Sequence, residues 1–548
     1  DRPEARVRAV ALDVGGGFGV KGHVYPEDLL LPYLARRIGR PVRWIEDRRE
    51  HLQSACHSRD QLHEAEIGFD NDGRILAFRD AMMMDCGAWN PIGIGIPYNT
   101  LSHLMGPYRM PHFAASAKVV STNKVPNAPY RGAGRPEAAQ AVERLMDLAA
   151  RELGIEPSEM RRRNLVRADE MPYAAGIPYR DGEPIVYDSG DYPLAMDKAI
   201  EAIGGLDAFR TRQKAARAEG RYLGIGMGLY TEGTGVGPFE GATVGIDPGG
   251  RIYLAAGSCP QGQGMETVFS QIAADLWQVQ PNDVSLTFAD TAAIAMGFGT
   301  IASRSTVNLS GAIHVASERL RGKVFDIAAH MLECAAADLE LRQGSVGIKG
   351  VPGASVSLAD VARAARPGWD HQRPPGIDAG LEETFYWEPS TVTWSYAAHV
   401  VTLEIDPGTG HVQLERYAIA HDCGVVVNPL LAEGQIIGGA VQGIGGALLE
   451  GFRYDSEGQL LTGSFMDYLL PTASDIPHIS VVHHESPSPL NPLGVKGLGE
   501  GGAISPPVAI ANAVCDALSD YAAEFNITPI TPEDVYRVLR AGVAPSHR

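Results

Sequence analysis

The residues able to do chemistry lie mostly in glycine-rich loops. Gly17, Gly19 and Gly22 form a GxGxxG pattern behind the strand-like run RVRAVALDV, and the acidic Glu46 ends the next strand-like run, PVRWIED. Such a turn aims backbone N–H groups at a pyrophosphate while the carboxylate takes a ribose hydroxyl, the chemistry of a nicotinamide- or flavin-binding Rossmann-type oxidoreductase. Pro26 opposes that reading. A dinucleotide-binding helix starts within the glycines, and a proline four residues past Gly22 would remove a hydrogen bond in its second turn. A purely structural turn is the second reading.

Four more segments share the character of this loop: APYRGAGRPE over 128–137, CPQGQGMET over 259–267, GFGTIASRST over 297–306 and GVKGLGEGGA over 494–503. Each offers backbone N–H groups and short hydroxyl or amide side chains, which an extended polyanionic cofactor needs. His23 follows Gly22 where a Walker sequence needs Lys and Ser or Thr, so no nucleotide P-loop occurs. The third reading is therefore a cofactor wrapped by many loops. Six cysteines stand far apart without any CxxC, which leaves this chain no iron–sulfur or zinc cassette and suits a reducing compartment. His51, Cys56, His57 and His63 fit no zinc spacing.

The chain that must position these loops has 548 residues, enough for several domains' worth of core. Its 66 acidic against 47 basic residues leave −19, which makes duplex nucleic acid and anionic membranes poor partners. No apolar run is long enough for a transmembrane helix, and neither a signal nor a transit pattern opens the sequence, so a cytoplasmic place is expected. RVRAVALDV, close behind the first residue, reads as a strand interior to a longer polypeptide or to one half of a split one.

Helical periodicity appears over 28–38, 137–153, 266–276, 311–337, 433–449 and 506–518; Pro136 and Gly154 bracket the clearest. FDNDGRI, IDPGGRI, IDPGTGHV and YDSEGQL read as hairpin turns. The Gly-, Pro- and Tyr-rich stretch after Arg167 reads as an ordered crossover, and Arg161, Arg162 and Arg163 as a solvated or partner-facing helix face.

Six motifs together, DVGGGFGVKG, YRGAGRPEA, GQGMET, ASRST, DCGVVVNP with AVQGIGGAL, and VKGLGEGGA, occur in an order and spacing that resemble the molybdenum-binding large subunit of the xanthine oxidase family. That family includes aldehyde oxidoreductases and aerobic carbon monoxide dehydrogenases. The resemblance runs nearly the whole length, and family chains extend further at the amino end into a segment that also serves the cofactor site. It implies an α+β fold of two large mixed α/β cofactor-binding domains with the cofactor between them. Residues 1–170 would be the remainder of the first, 171–215 a crossover and 216–548 the second.

The implied cofactor is molybdopterin cytosine dinucleotide, its molybdenum held through the pterin dithiolene and not by protein ligands, with no iron–sulfur cluster or FAD in this chain. The resemblance places Gly17, Phe18 and Gly19 beside the metal. It puts Gln263, Gly264, Thr300, Ala302, Ser303, Arg304 and Ser305 along the pterin and its tail, and Gln442, Lys496 and Gly499 at the cofactor's border. Glu500 would be the general base. Metal-bound hydroxide would attack an electron-poor carbon as hydride passes to a sulfido ligand. Arg131 would orient or stabilise negative charge on a small organic substrate, while Arg135 is free to pair with Glu137.

Gly132 stands where the strict carbon monoxide dehydrogenases carry a copper-binding cysteine, and Gly22 where purine-oxidising members carry a glutamate after the loop lysine. Aldehydes or N-heteroaromatics remain as substrates, with a slight lean to aldehydes. The resemblance also implies an iron–sulfur subunit and an FAD subunit, a chain or segment supplying the absent amino-terminal part, and a dimer of heterotrimers. A non-catalytic scaffold is the remaining alternative.

Overall fold

The computed structural model describes residues 2–541 except 90–91, 93, 180 and 369–371. The described residues form a mixed α/β architecture in which helices cover several mixed sheets. The central sheet pairs Tyr222–Thr234, Thr393–Ile405 and Val412–Asp422 antiparallel and adds Ile479–His483 in parallel. Its first two strands are buried along nearly their whole length, as near-continuous apolar runs are when both faces are covered. Helix Pro506–Ala517, apolar on almost every side, packs against Tyr222–Thr234.

A second sheet orders Glu382–Trp387, Glu240–Ile246, Ile252–Ala256 and Val284–Phe288. Helices Met265–Trp277 and Ser305–Leu332 share its core, with Trp277 wholly buried. A third joins Gln61–Phe69, Ile75–Asp85 and Phe113–Val120, and helix Arg135–Leu153 lies between it and the central sheet. That helix starts with Pro136 in its first turn and ends at Gly154 in the left-handed conformation, as its sequence predicts.

The four turn motifs share one device. Asp70, Asp247, Asp406 and Asp455 each accept, at Oδ1, the N–H two residues on, which reinforces the backbone hydrogen bonds that close the turn. The first three join paired strands; the last closes the isolated bridge Tyr454–Leu460.

Three expectations fail. RVRAVALDV is not a strand; its one ladder contact among the described residues is the bridge from Val10 to Asp290, and Val7, Val10 and Leu12 are exposed. PVRWIED belongs to no strand. Without those strands the GxGxxG loop has no Rossmann unit around it: Val20–Gly22 is a single turn, and the next helix, Pro26–Ile38, begins at the proline itself. The nicotinamide or flavin reading falls on that geometry. The crossover also holds more structure than its composition suggests, a hairpin of Tyr173–Pro178 with Pro184–Tyr187 and helices Tyr192–Ala202 and Leu206–Ala218. Tyr179 and Tyr187 pack edge-on against the buried Trp394 of the central sheet.

Arg161 is likewise no solvated residue. It is fully buried, 2.7 Å from both Glu143 and Asp147, because its turn of helix Pro157–Asn164 faces helix Arg135–Leu153. Arg162 and Arg163 remain partly exposed on the other side.

Candidate functional site

Loops separated by hundreds of residues meet at Arg131 and Glu500. The Arg131 N–H donates to the Phe18 carbonyl at 2.9 Å, its Nε to the Gly499 carbonyl at 2.8 Å and its Nη2 to the Gln435 carbonyl at 2.9 Å. Its guanidinium also lies over the Phe18 ring. The side chain thus ties the GGGFG loop, the GLGEGG loop and helix Pro429–Leu448 together, and burial lowers its pKa from the usual arginine value. Gly19 makes the first junction possible: at φ +104°, a Cβ there would lie 2.3 Å from the Pro129 carbonyl oxygen.

Glu500 is fixed at both ends. Its backbone N–H donates to Ser303 Oγ at 3.0 Å, its Oε1 accepts from the Gly132 N–H at 2.8 Å, and its Oε2 accepts from Arg135 Nη1 at 2.9 Å. The carboxylate therefore caps no helix. It is 14% exposed, so one side remains open. The expected pairing of Arg135 with Glu137 does not form, since Arg135 is fully buried against Glu500 while Glu137 faces Arg59 at 3.4 Å.

The other loops close around the same place. The Cys259 N–H donates to Thr300 Oγ1 at 2.9 Å, Gln261 Nε2 to the Thr300 carbonyl at 3.3 Å, and Ser305 Oγ to Thr300 Oγ1 at 3.4 Å. Gln263 Oε1 accepts the Gln261 N–H at 2.5 Å, and Gly264 starts helix Met265–Trp277. Gln261, which the sequence reading passed over, has its carboxamide against the Cα of Gly17. Gly497 passes so close to Ser303 that a Cβ there would lie 1.8 Å from its carbonyl oxygen.

Phe18, Ala133, Ala302 and Ser303 all have positive φ, between 46° and 51°. Left-handed non-glycine residues cost on the order of 1–3 kcal/mol each and gather where a ligand dictates backbone direction.

Two basic residues stand behind this surface. Arg304 is wholly buried and donates to Glu240 Oε2 at 2.6 Å and to the Val236, Phe239 and Gly299 carbonyls, so it anchors the ASRST loop from beneath. Lys496 donates to Asp422 Oδ2 at 2.6 Å and to the Ser189 carbonyl, joining the DCGV and VKGLGE segments. Burial pushes Asp422 up to about 6 against the pull of Lys496.

Gln442, on helix Pro429–Leu448, has a buried Oε1 with no hydrogen-bond partner. It lines a cleft of about 1840 Å³ shared with Gly17, Phe18 and Tyr130. An orphaned amide oxygen, exposed Phe18 and small-residue loops with distorted backbone suit a large polar cofactor, and they provide no cluster of metal-ligating side chains among the described residues.

Glu232 was missed. It is fully buried on Tyr222–Thr234, and burial together with the Glu500 charge pushes it up to about 7 while Arg135 opposes. The available signal was a lone carboxylate inside the apolar run YLGIGMGLYTEGT.

Residues 1–165 and 199–477 each match the molybdopterin cofactor-binding domain. This chain belongs to the xanthine oxidase family as a molybdenum-cofactor-binding large subunit. It is similar to quinoline 2-oxidoreductase from Pseudomonas putida 86, with a TM-score of 0.92 and 39% identity over 98% of this chain and 69% of that one. Carbon monoxide dehydrogenase from Oligotropha carboxidovorans matches with a TM-score of 0.91 and 32% identity over 98% of this chain and 68% of that one. The gamma subunit of the 6-hydroxypseudooxynicotine dehydrogenase complex of Paenarthrobacter nicotinovorans is 39% identical over 97% of this large subunit and 67% of its own length. The chain thus spans about two thirds of the length of these relatives. No described helix of this family member is long and apolar enough to cross a membrane.

Proposed function

We propose that this large subunit hydroxylates an electron-poor carbon of a small N-heteroaromatic molecule. It would hold the cofactor as molybdopterin cytosine dinucleotide and pass electrons to separate iron–sulfur and FAD subunits. The observation that carries the reading is Glu500, a partly open carboxylate oriented by the Gly132 N–H and Arg135 where the family's cofactor loops meet. Relatives named for quinoline and nicotine chemistry favour N-heteroaromatics over the aldehydes toward which the sequence leaned.

When bound, the cofactor supplies oxygen transfer and two-electron acceptance at molybdenum. The chain's own residues do the rest. Glu500 takes up a proton at a carboxylate oxygen as the general base. Arg131 offers positive charge to negative charge developing on the substrate side. Phe18, half-exposed over Arg131, gives an aromatic ring a face to stack on and limits water. Gln442 donates or accepts at the cofactor's edge from the wall of the cleft.

Elemental analysis with nucleotide release on the purified assembly tests the cofactor: about one molybdenum per chain and liberated CMP are expected. Absence of molybdenum overturns the cofactor assignment, and a different nucleotide overturns the cytosine form. Glu500→Gln should keep the metal while turnover of quinoline-type substrates falls about 10²–10⁴-fold; unchanged turnover removes Glu500 as the base.

A further inference from the structure

We infer that Glu232 is a positioning residue for Glu500: through Arg135, which both carboxylates share, it sets how tightly Glu500 holds a proton. The inference rests on Glu500 being the general base, and it adds a second carboxylate that reaches neither substrate nor cofactor.

The geometry is asymmetric. Arg135 Nη1 lies 2.9 Å from Glu500 Oε2 and 3.9 Å from Glu232 Oε1. Glu232 Oε1 has no hydrogen-bond partner, and Oε2 accepts a long bond, 3.4 Å, from Ser395 Oγ across the strand pair. The ionisable groups around Glu232 are Arg135 from helix Arg135–Leu153, Arg131 from its preceding loop, Glu500, and the hydroxyl of Tyr230 on its own strand. The hydroxyls of Ser303 and Ser395 also face it. Behind Arg135, His103 Nε2 accepts from Arg135 Nε and the Gly233 N–H while its Nδ1 meets the Asn99 carbonyl, the arrangement of a neutral imidazole.

Arg135 is placed to bond one of the two carboxylates and leaves the other beyond hydrogen-bond reach. Glu500 has the shorter contact and a backbone N–H, so Arg135 is its partner, while burial leaves Glu232 as the carboxyl that keeps its proton near neutrality. With Glu232 neutral, Arg135 serves Glu500 alone. As Glu232 ionises, it competes for Arg135 and Glu500 becomes the stronger base. Coupling of this kind is reciprocal.

Infrared titration of the purified protein reads the coupling without turnover. Wild type should show a protonated carboxyl band near neutral pH, lost in Glu232→Gln. In Glu500→Gln, which leaves Glu232 in place, the band should titrate about one pH unit lower, a roughly tenfold fall in proton affinity. In the holoenzyme, kcat/KM should rise through the range where the band disappears; in Glu232→Gln that rise is absent and KM unchanged. A band that Glu500→Gln does not move, or a Glu232→Gln pH profile identical to wild type, overturns the inference. Coupling in the infrared with full turnover in Glu500→Gln would instead sink the base assignment and leave the coupling standing.

Discussion

One helix, Arg135–Leu153, takes part in two buried arginine–carboxylate clusters of opposite design. Midway along it, Glu143 and Asp147 each lie 2.7 Å from Arg161, and the Tyr108 hydroxyl donates to Glu143 as well. At its start, Arg135 satisfies Glu500 and leaves Glu232 at 3.9 Å with an unbonded oxygen. In the first cluster both carboxylates ion-pair with Arg161 at 2.7 Å, although Asp147 Oδ1 makes no hydrogen bond, and the cluster joins two helices. The second is left open by one contact, and its near carboxylate is 14% exposed where the glycine loops meet. The contrast teaches that burial and charge alone do not mark a functional group; an incompletely partnered carboxylate beside a cofactor loop does.

The largest expected effect tests the first cluster. Arg161→Met strands Glu143 and should cost about 3–5 kcal/mol, read as a lower urea midpoint, with the pH dependence of kcat/KM unchanged in the folded fraction. A shifted pH profile at full stability would break the comparison.

The open cluster should appear in stability as well. Glu232, about 7 in the folded protein against roughly 4.3 unfolded, binds more protons when folded. Its contribution is complete below the unfolded value and is lost as pH rises toward 7, by roughly 3 kcal/mol over that window. Urea midpoints of Glu232→Gln measured across that range should fall less with pH than those of wild type; equal slopes would refute the assignment.

Gly497→Ala should act between these scales. Its Cβ would meet the Ser303 carbonyl at 1.8 Å, so the loop must shift, at about 1–3 kcal/mol. Molybdenum content should drop even where the chain stays folded. Smallest is an exposed pair, Arg79 with Glu66, both about two-thirds exposed; Glu66→Gln should change stability by less than about 1 kcal/mol.

The sequence was most readable where local chemistry decides the outcome. The Asx turns at Asp70, Asp247 and Asp406 and the helix bracketed by Pro136 and Gly154 need only their own neighbours. Glu500 stood out through its motif. Its partner did not: Arg135 is 365 residues away, and nearby Glu137 offers an equally good local pairing on paper. Arg161 misled for the same reason, because three consecutive arginines look solvated until a neighbouring helix supplies two carboxylates. RVRAVALDV has strand composition but, among the described residues, pairs only at the bridge from Val10 to Asp290, and composition does not report partners.

The Gly132 N–H that holds Glu500 comes from 368 residues earlier in the chain. A ribosome making this protein must therefore release both loops, and the 368 residues that separate them, before the pocket exists. Loops 17–19, 131–135 and 299–305 wait meanwhile in a half-made globule that lacks its last wall. A nascent chain stalled before residue 500 would therefore have no finished place to receive the cofactor.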